Sequence, residues 1–136
     1  MSTFEGVGDI AAISGLAAKV HTAYKGAPDD HIHISDEVEV LQLIINKAAQ
    51  HLEKTALDKN SQQEGQKVLK GCKNILEDLN SFIEKYNSLS FGDSSQGFRR
   101  VKLGTDDIAT LRARLISNTG LLSGFVQRSD IPTIYY

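Results

Sequence analysis

The side chains of this sequence that could do chemistry begin with its four histidines. His31 and His33 form an H-x-H pair, and Asp29 and Asp30 precede it. Imidazole and carboxylate groups are zinc ligands, but a site would need both imidazoles on one side of an extended segment and further ligands from elsewhere. A polar loop that contains histidines explains the pair better, so we predict no metal site.

Cys72 is the only cysteine, which excludes a disulfide within the chain and favours a reducing, intracellular setting. It falls in the apolar stripe of a predicted helix. A nucleophilic cysteine needs a neighbouring base and partial exposure, so a buried structural role is the simpler interpretation. The sequence has no glycine-rich phosphate loop after a strand and no Ser-His-Asp pattern. We therefore predict no catalytic residue, no cofactor and no small-molecule substrate.

Four segments place apolar residues at the spacing of three and four that is typical of amphipathic helices. They cover residues 3–24, 36–57, 62–87 and 106–128. Their expected caps are Ser2 with Glu5, Ser35, Ser61 with Glu64, and Thr105. The only alternating stretch, HIHIS, is short and is interpreted as an extended entry to the second helix. The sequence predicts an all-α fold, an antiparallel bundle of four main helices.

The connections between the predicted helices differ in length. Residues 58–60 are a short polar link, so the second and third helices are expected to pack as an antiparallel hairpin. Residues 88–104 form a long link with room for an extra short helix. The chain is expected to leave the last helix at Pro132. The bundle would then cover residues 1–128, and residues 129–136 would be a tail or the start of a linker.

The charge of the chain is nearly balanced, with a net charge of -2. A loose basic face is predicted from Lys67, Lys70, Lys73, Arg99, Arg100 and Lys102, with Arg112 and Arg114 on the fourth helix. It could meet anionic lipid or an acidic partner, although a solvated helix surface is the simpler interpretation. No aromatic residues are interleaved with these charges, so nucleic acid is not an expected partner.

The first predicted helix is unusually rich in small residues, and between positions 6 and 18 only Asp9 and Ser14 are polar. Its glycines, Gly6, Gly8 and Gly15, each lower helix stability by about 1 kcal/mol relative to alanine. Two interpretations are open. The helix is either the most buried one of the bundle, or a weakly anchored one that can leave for a bilayer or another copy of the chain.

Three segments carry a family resemblance: FEGVGDIAAISGLAAKVHTAY, VLKGCKNILEDLNSFIEKY and DDIATLRARLISNTGLLSGFVQR. The third is the most specific, with an L-R-x-x-L-x-x-x-T-x-x-L run formed by Leu111, Arg112, Leu115, Thr119 and Leu122. Together they resemble the HeLo-like N-terminal domains of fungal signalling proteins, including the STAND (NLR-like) receptors.

The resemblance implies a non-enzymatic signalling or effector domain at the N-terminus of a larger receptor-like protein. Such domains act in fungal programmed cell death and non-self recognition (heterokaryon incompatibility). Related HeLo domains, and the similar four-helix domain of the mixed-lineage kinase-like pseudokinase, damage membranes after oligomerising. By position, the membrane- or partner-binding residues would be Phe4, Val7, Ile10, Ile13, Leu16 and Val20.

Glu5 and Asp9 interrupt this face, so we expect any action on membranes to require an oligomer. The expected partners are a second copy or another homotypic helical domain, and an anionic membrane. The expected location is cytoplasmic, with membrane association on activation. The alternative function is a helical protein–protein interaction module, an adaptor or oligomerisation domain without membrane activity.

Overall fold

The computed structural model describes residues 7–27, 32–54, 58–89 and 108–135, and within them the chain forms four α-helices and no strand. The helices are α1 (Val7–Lys25), α2 (Ile32–Lys54), α3 (Lys59–Leu89) and α4 (Ile108–Tyr135). The predicted all-α bundle is confirmed. The extra short helix in the 88–104 link falls outside the described residues, except that Ser88 and Leu89 belong to α3.

The helices form because each one carries an apolar stripe, and these stripes meet in one core. Val68 and Ile108 lie at its edge. The stripe residues that are buried are Ile10, Ile13, Ala17, Val20, Tyr24, Val38, Leu41, Ile45, Ala48, Cys72, Ile75, Leu79, Phe82, Tyr86, Leu111, Leu115, Leu122 and Phe125. Burying a large apolar side chain contributes about 1.5–3 kcal/mol, so these positions hold the bundle together.

Each helix of the bundle has two close neighbours. α1 packs against α2 and α3, and α4 also packs against α2 and α3. α2 and α3 therefore lie diagonally opposite each other in the bundle and make little contact. The prediction of an α2–α3 hairpin is therefore wrong. Leu69, Leu76 and Ile83 widen the buried face of α3 beyond its main stripe, and a face that wide packs against α1 and α4 together.

Contacts between side chains fix the direction of the helices. Ser14 of α1 meets Asn46 of α2, and the later α1 residue His21 meets the earlier α2 residue Ser35, so these helices are antiparallel. Glu37 and Arg112 join the beginnings of α2 and α4, which run parallel. Arg114 and Arg128 of α4 pair with Asp78 and Glu64 of α3, so these two helices are antiparallel. Successive helices along the chain thus alternate in direction.

Two predicted helix starts are wrong. α2 begins at Ile32, so HIHIS is helical from its first isoleucine and Ser35 is an interior residue and not a cap. The reason is that Ile34 continues the buried stripe of α2 by one turn. α3 begins at Lys59, and its cap is Asp58 rather than Ser61. Asp58 Oδ1 accepts a hydrogen bond from the Ser61 backbone N–H at 2.7 Å, which lowers the pKa of the Asp58 carboxyl.

The last helix is longer than predicted. α4 continues to Tyr135, so the prediction that the chain leaves the helix at Pro132 is wrong. A proline this close to the end of a helix removes one backbone hydrogen bond from the last turns without requiring the helix to stop before it. The predicted caps Ser2 with Glu5 and Thr105 lie outside the described residues.

Candidate functional site

The apolar face of α1, which was predicted to bind a membrane or partner, faces the core. Ile10, Ile13 and Val20 are buried, and Leu16 is partly buried against the same core. Phe4 and the side chain of Val7 lie outside the described part of the chain. Because α2 and α3 cover this face, the predicted residues can bind something else only after α1 moves away.

A reciprocal contact joins the end of α1 to the beginning of α2. His21 Nδ1 lies 2.9 Å from the Ser35 carbonyl oxygen, and Ser35 Oγ lies 3.2 Å from the His21 carbonyl oxygen. Both bonds form when Nδ1 carries the ring proton and donates it to Ser35, while the hydroxyl donates to His21. The buried Ser35 is satisfied in this way, and the exchange fixes the register of the two helices.

Two further polar contacts hold α1. The Ser14 hydroxyl donates to Asn46 Oδ1 at 2.9 Å, on the exposed side of the α1–α2 seam. The Tyr24 hydroxyl donates to the Leu79 carbonyl oxygen of α3 at 2.8 Å inside the core. Burial raises the pKa of Tyr24, because the phenolate would lose its solvation. Each neutral hydrogen bond contributes only about 1 kcal/mol net, so these contacts position α1 rather than anchor it permanently.

The residues that could do chemistry are not assembled into a site within the described parts of the chain. Cys72 is buried, and burial raises the pKa of its thiol to about 12. His33 is exposed, and its predicted partner His31 lies outside the described residues. Among the described residues, no group of three histidine, cysteine or acidic side chains is placed to hold a metal ion.

The predicted basic face is only partly described. Lys67, Lys70 and Lys73 are exposed along α3. The remaining members, Arg99, Arg100 and Lys102, lie outside the described residues. Arg112 and Arg114 do not form one face, since Arg112 pairs with Glu37 of α2 and Arg114 with Asp78 of α3. These two arginines tie α4 to its two neighbours, one on each side.

An exposed apolar surface on α2 and α4 was missed by the sequence analysis. Val40 and Leu43 on α2 are 49% and 60% exposed, and Ile116 on α4 is 53% exposed. We call these three residues the apolar patch. A shallow groove of about 200 Å³ lies between Val40 and Ile116 of this patch, and Glu37 and Thr119 also line it. The available signal was that Val40 and Leu43 lie three residues apart and outside the core stripe of α2.

None of the four helices, in the part of the chain that the structure describes, is long and apolar enough to cross a membrane. In comparisons with known proteins, no family model, no curated protein and no solved structure matches this chain. The function must therefore be argued from the residues and their geometry.

Proposed function

We propose that this chain is a signalling or effector module of the HeLo-like kind, which acts by releasing α1 and associating with other copies of itself, without catalysis. One observation carries the proposal: α1 has a continuous apolar face, and α2 and α3 bury its residues Ile10, Ile13 and Val20. A binding surface that is hidden at rest and continuous once exposed has the properties of a switch. In a fungal receptor-like protein, an activating signal would shift the equilibrium from the state with α1 packed to the state with α1 released.

The contacts of α1 are compatible with release. Its polar contacts at Ser14, His21 and Tyr24 are hydrogen bonds, with no ion pair among the described residues of the helix. Gly15 is exposed, and a Cβ there would meet nothing within 4 Å, so this glycine has no packing role. Its only energetic effect is to weaken the helix, by about 1 kcal/mol relative to alanine.

Released α1 would present Ile10, Ile13 and Val20 to a membrane surface or to another protomer. Lys19 and Lys25 lie on the same helix and would favour anionic lipid. Because α1 cannot span a bilayer alone, membrane damage would require several copies to assemble.

A reversible cross-link between α1 and α2 tests this. Ser14→Cys with Asn46→Cys, in a Cys72→Ala background, places two thiols where side chains already touch. We expect the oxidised protein to leave vesicles of phosphatidylserine and phosphatidylcholine intact, and the reduced protein to bind them and release a trapped dye. The matched control is Gly71→Cys with Asn118→Cys, which joins α3 to α4 where an ideal Cβ at Gly71 lies 3.5 Å from Asn118 Cγ. That bond should not block leakage.

The alternative function is a helical protein–protein interaction module that never engages lipid. The exposed apolar patch on α2 and α4 favours it, because that surface is available without any movement of α1. Absence of vesicle binding and leakage in both the oxidised and the reduced state would reject membrane action and leave this alternative.

A further inference from the structure

We infer that the apolar patch is the centre of a two-fold interface between two copies of this chain, in which α2 packs antiparallel against α2 of the second copy. The inference rests on the self-association in the proposed function and not on the release of α1. It assigns the surface that the bundle uses while α1 is still in place.

The first argument is the position of the residues on α2. Asp36, Val40, Leu43 and Lys47 follow one another at spacings of four, three and four, so they form a single stripe along the outer side of the helix. All four are exposed. Core packing therefore does not explain the two apolar residues at the middle of this stripe.

The second argument is the symmetry of charge along the stripe. Asp36 and Lys47 lie at its two ends, about 16 Å apart along the helix axis. The midpoint between them coincides with the midpoint between Val40 and Leu43. When a two-fold axis passes through that midpoint, Val40 meets Leu43 of the second copy, and Asp36 meets Lys47. An isologous interface requires such self-complementarity.

The charges at the ends of the stripe are available for a partner. Among the described residues, no ion pair involves Asp36 or Lys47. Glu37, on the rim of the groove, is already neutralised by Arg112, whose Nη2 lies 2.8 Å from Glu37 Oε2. The carboxylate that lines the groove is therefore already paired and would not be buried as an isolated charge, which would be costly.

The same charges argue against an anionic membrane as the occupant. Asp36 and Glu39 lie at one end of the patch, and Lys47 alone lies at the other. The net charge of this surface is thus negative and repels acidic lipid. A second copy satisfies both ends at once.

Ile116 widens the interface from α2 to α4. Because α2 and α4 run parallel and side by side, Ile116 lies across the groove from Val40. The interface would then be formed by four helices, α2 and α4 of each copy. A stable dimer buries about 800 Å² on each partner, more than three side chains provide. We therefore expect a reversible dimer with a dissociation constant of about micromolar or weaker.

Sedimentation equilibrium of the full chain over a concentration series tests the inference. We expect a monomer–dimer equilibrium, and Leu43→Asp should weaken it by about tenfold or more. Leu121→Asp is the matched control, since Leu121 is 55% exposed on α4 and lies outside the patch. Far-UV circular dichroism and thermal unfolding of each variant verify that the bundle is retained.

Charge reversal tests the antiparallel register. Asp36→Lys and Lys47→Asp should each weaken the dimer, because each places like charges opposite one another. The double variant Asp36→Lys with Lys47→Asp should restore it. A wild-type chain that stays monomeric up to about 1 mM, a dimer that Leu43→Asp and Leu121→Asp weaken equally, or a double variant that is not restored would each overturn the inference. None of these results decides the release of α1, since no substituted residue lies on that helix.

Discussion

Cys72 lies on the inner side of α3, with its Sγ 3.8 Å from the Asn118 carbonyl oxygen of α4. Its thiol is fully covered, and the thiolate would have to form without solvation, which raises the pKa to about 12. Tyr24 on α1 is also buried, which raises its pKa, and its hydroxyl donates a hydrogen bond to the Leu79 carbonyl oxygen. Both groups have pKa values raised by folding, so their ionisation is coupled to unfolding.

We predict that the chain becomes less stable as the pH rises above about 9. Unfolded Cys72 ionises near its ordinary pKa of 9.0, whereas folded Cys72 stays protonated until about pH 12. The stability from this thiol is complete below pH 9 and is lost as pH rises towards 12, by up to about 1.4 kcal/mol per pH unit.

Urea unfolding between pH 8 and pH 11 measures this loss, and Cys72→Ala is the control. The variant keeps the alkaline loss that comes from Tyr24 but lacks the part that begins near pH 9. Identical pH profiles of the two proteins would contradict the assignment to Cys72.

The elements of the fold were predictable where burial decides their position. The apolar stripes of all four helices predicted core residues that the structure confirms, because a side chain such as Leu41 or Leu115 has no other favourable place. Helix starts were less predictable. Ser35, Asp58 and Ser61 are all good cap residues, and the choice among them depends on tertiary contacts. Ser35 is inside α2 because Ile34 is needed in the core.

The sequence predicted less well which helices are neighbours and which exposed residues form a common surface. A short link between α2 and α3 restricts how far apart their ends lie, but not which helix occupies the neighbouring place in the bundle. The apolar patch was missed because Val40 and Leu43 lie outside the core stripe of α2, where single exposed apolar residues are common. Their role depends on Ile116, which is distant in sequence and becomes a neighbour only after folding.

The close approach of α3 and α4 depends on a glycine. An ideal Cβ at Gly65 would lie 2.8 Å from Phe125 Cζ, and the Phe125 ring is itself buried. We predict that Gly65→Ala destabilises the bundle by about 1–3 kcal/mol, because the ring cannot withdraw without disturbing the core. Chemical denaturation measures the change. The control is Gly120→Ala at an open position of α4, which should stabilise by about 0.5–1 kcal/mol. If Gly65→Ala stabilises the bundle as Gly120→Ala does, the predicted clash between position 65 and the Phe125 ring is wrong.

At the scale of the whole molecule, α1 is the helix whose release the proposed function requires. It is the shortest of the four helices, at 19 residues. One of its five buried apolar residues, Ala17, covers little area. α4 buries four apolar residues, but ion pairs of Arg112, Arg114 and Arg128 also join it to α2 and α3, whereas the described residues of α1 form no ion pair. Proteins open locally in cooperative units that cost less free energy than global unfolding. The proposed release of α1 requires such a unit, so we expect α1 to separate from the bundle at a lower free energy than global unfolding, with α3 and α4 remaining packed.

Native-state hydrogen exchange with two glycine variants tests this order of events. Gly15→Ala should raise the opening free energy of α1 amides by about 0.5–1 kcal/mol, since the exposed position tolerates a methyl group and alanine strengthens the helix. Gly120→Ala should raise the global free energy of unfolding by a similar amount and leave the opening of α1 unchanged, because α4 stays folded in that step. If both variants raise the opening free energy of the α1 amides equally, the bundle opens as one unit. That result would contradict a separate release of α1 from the resting molecule.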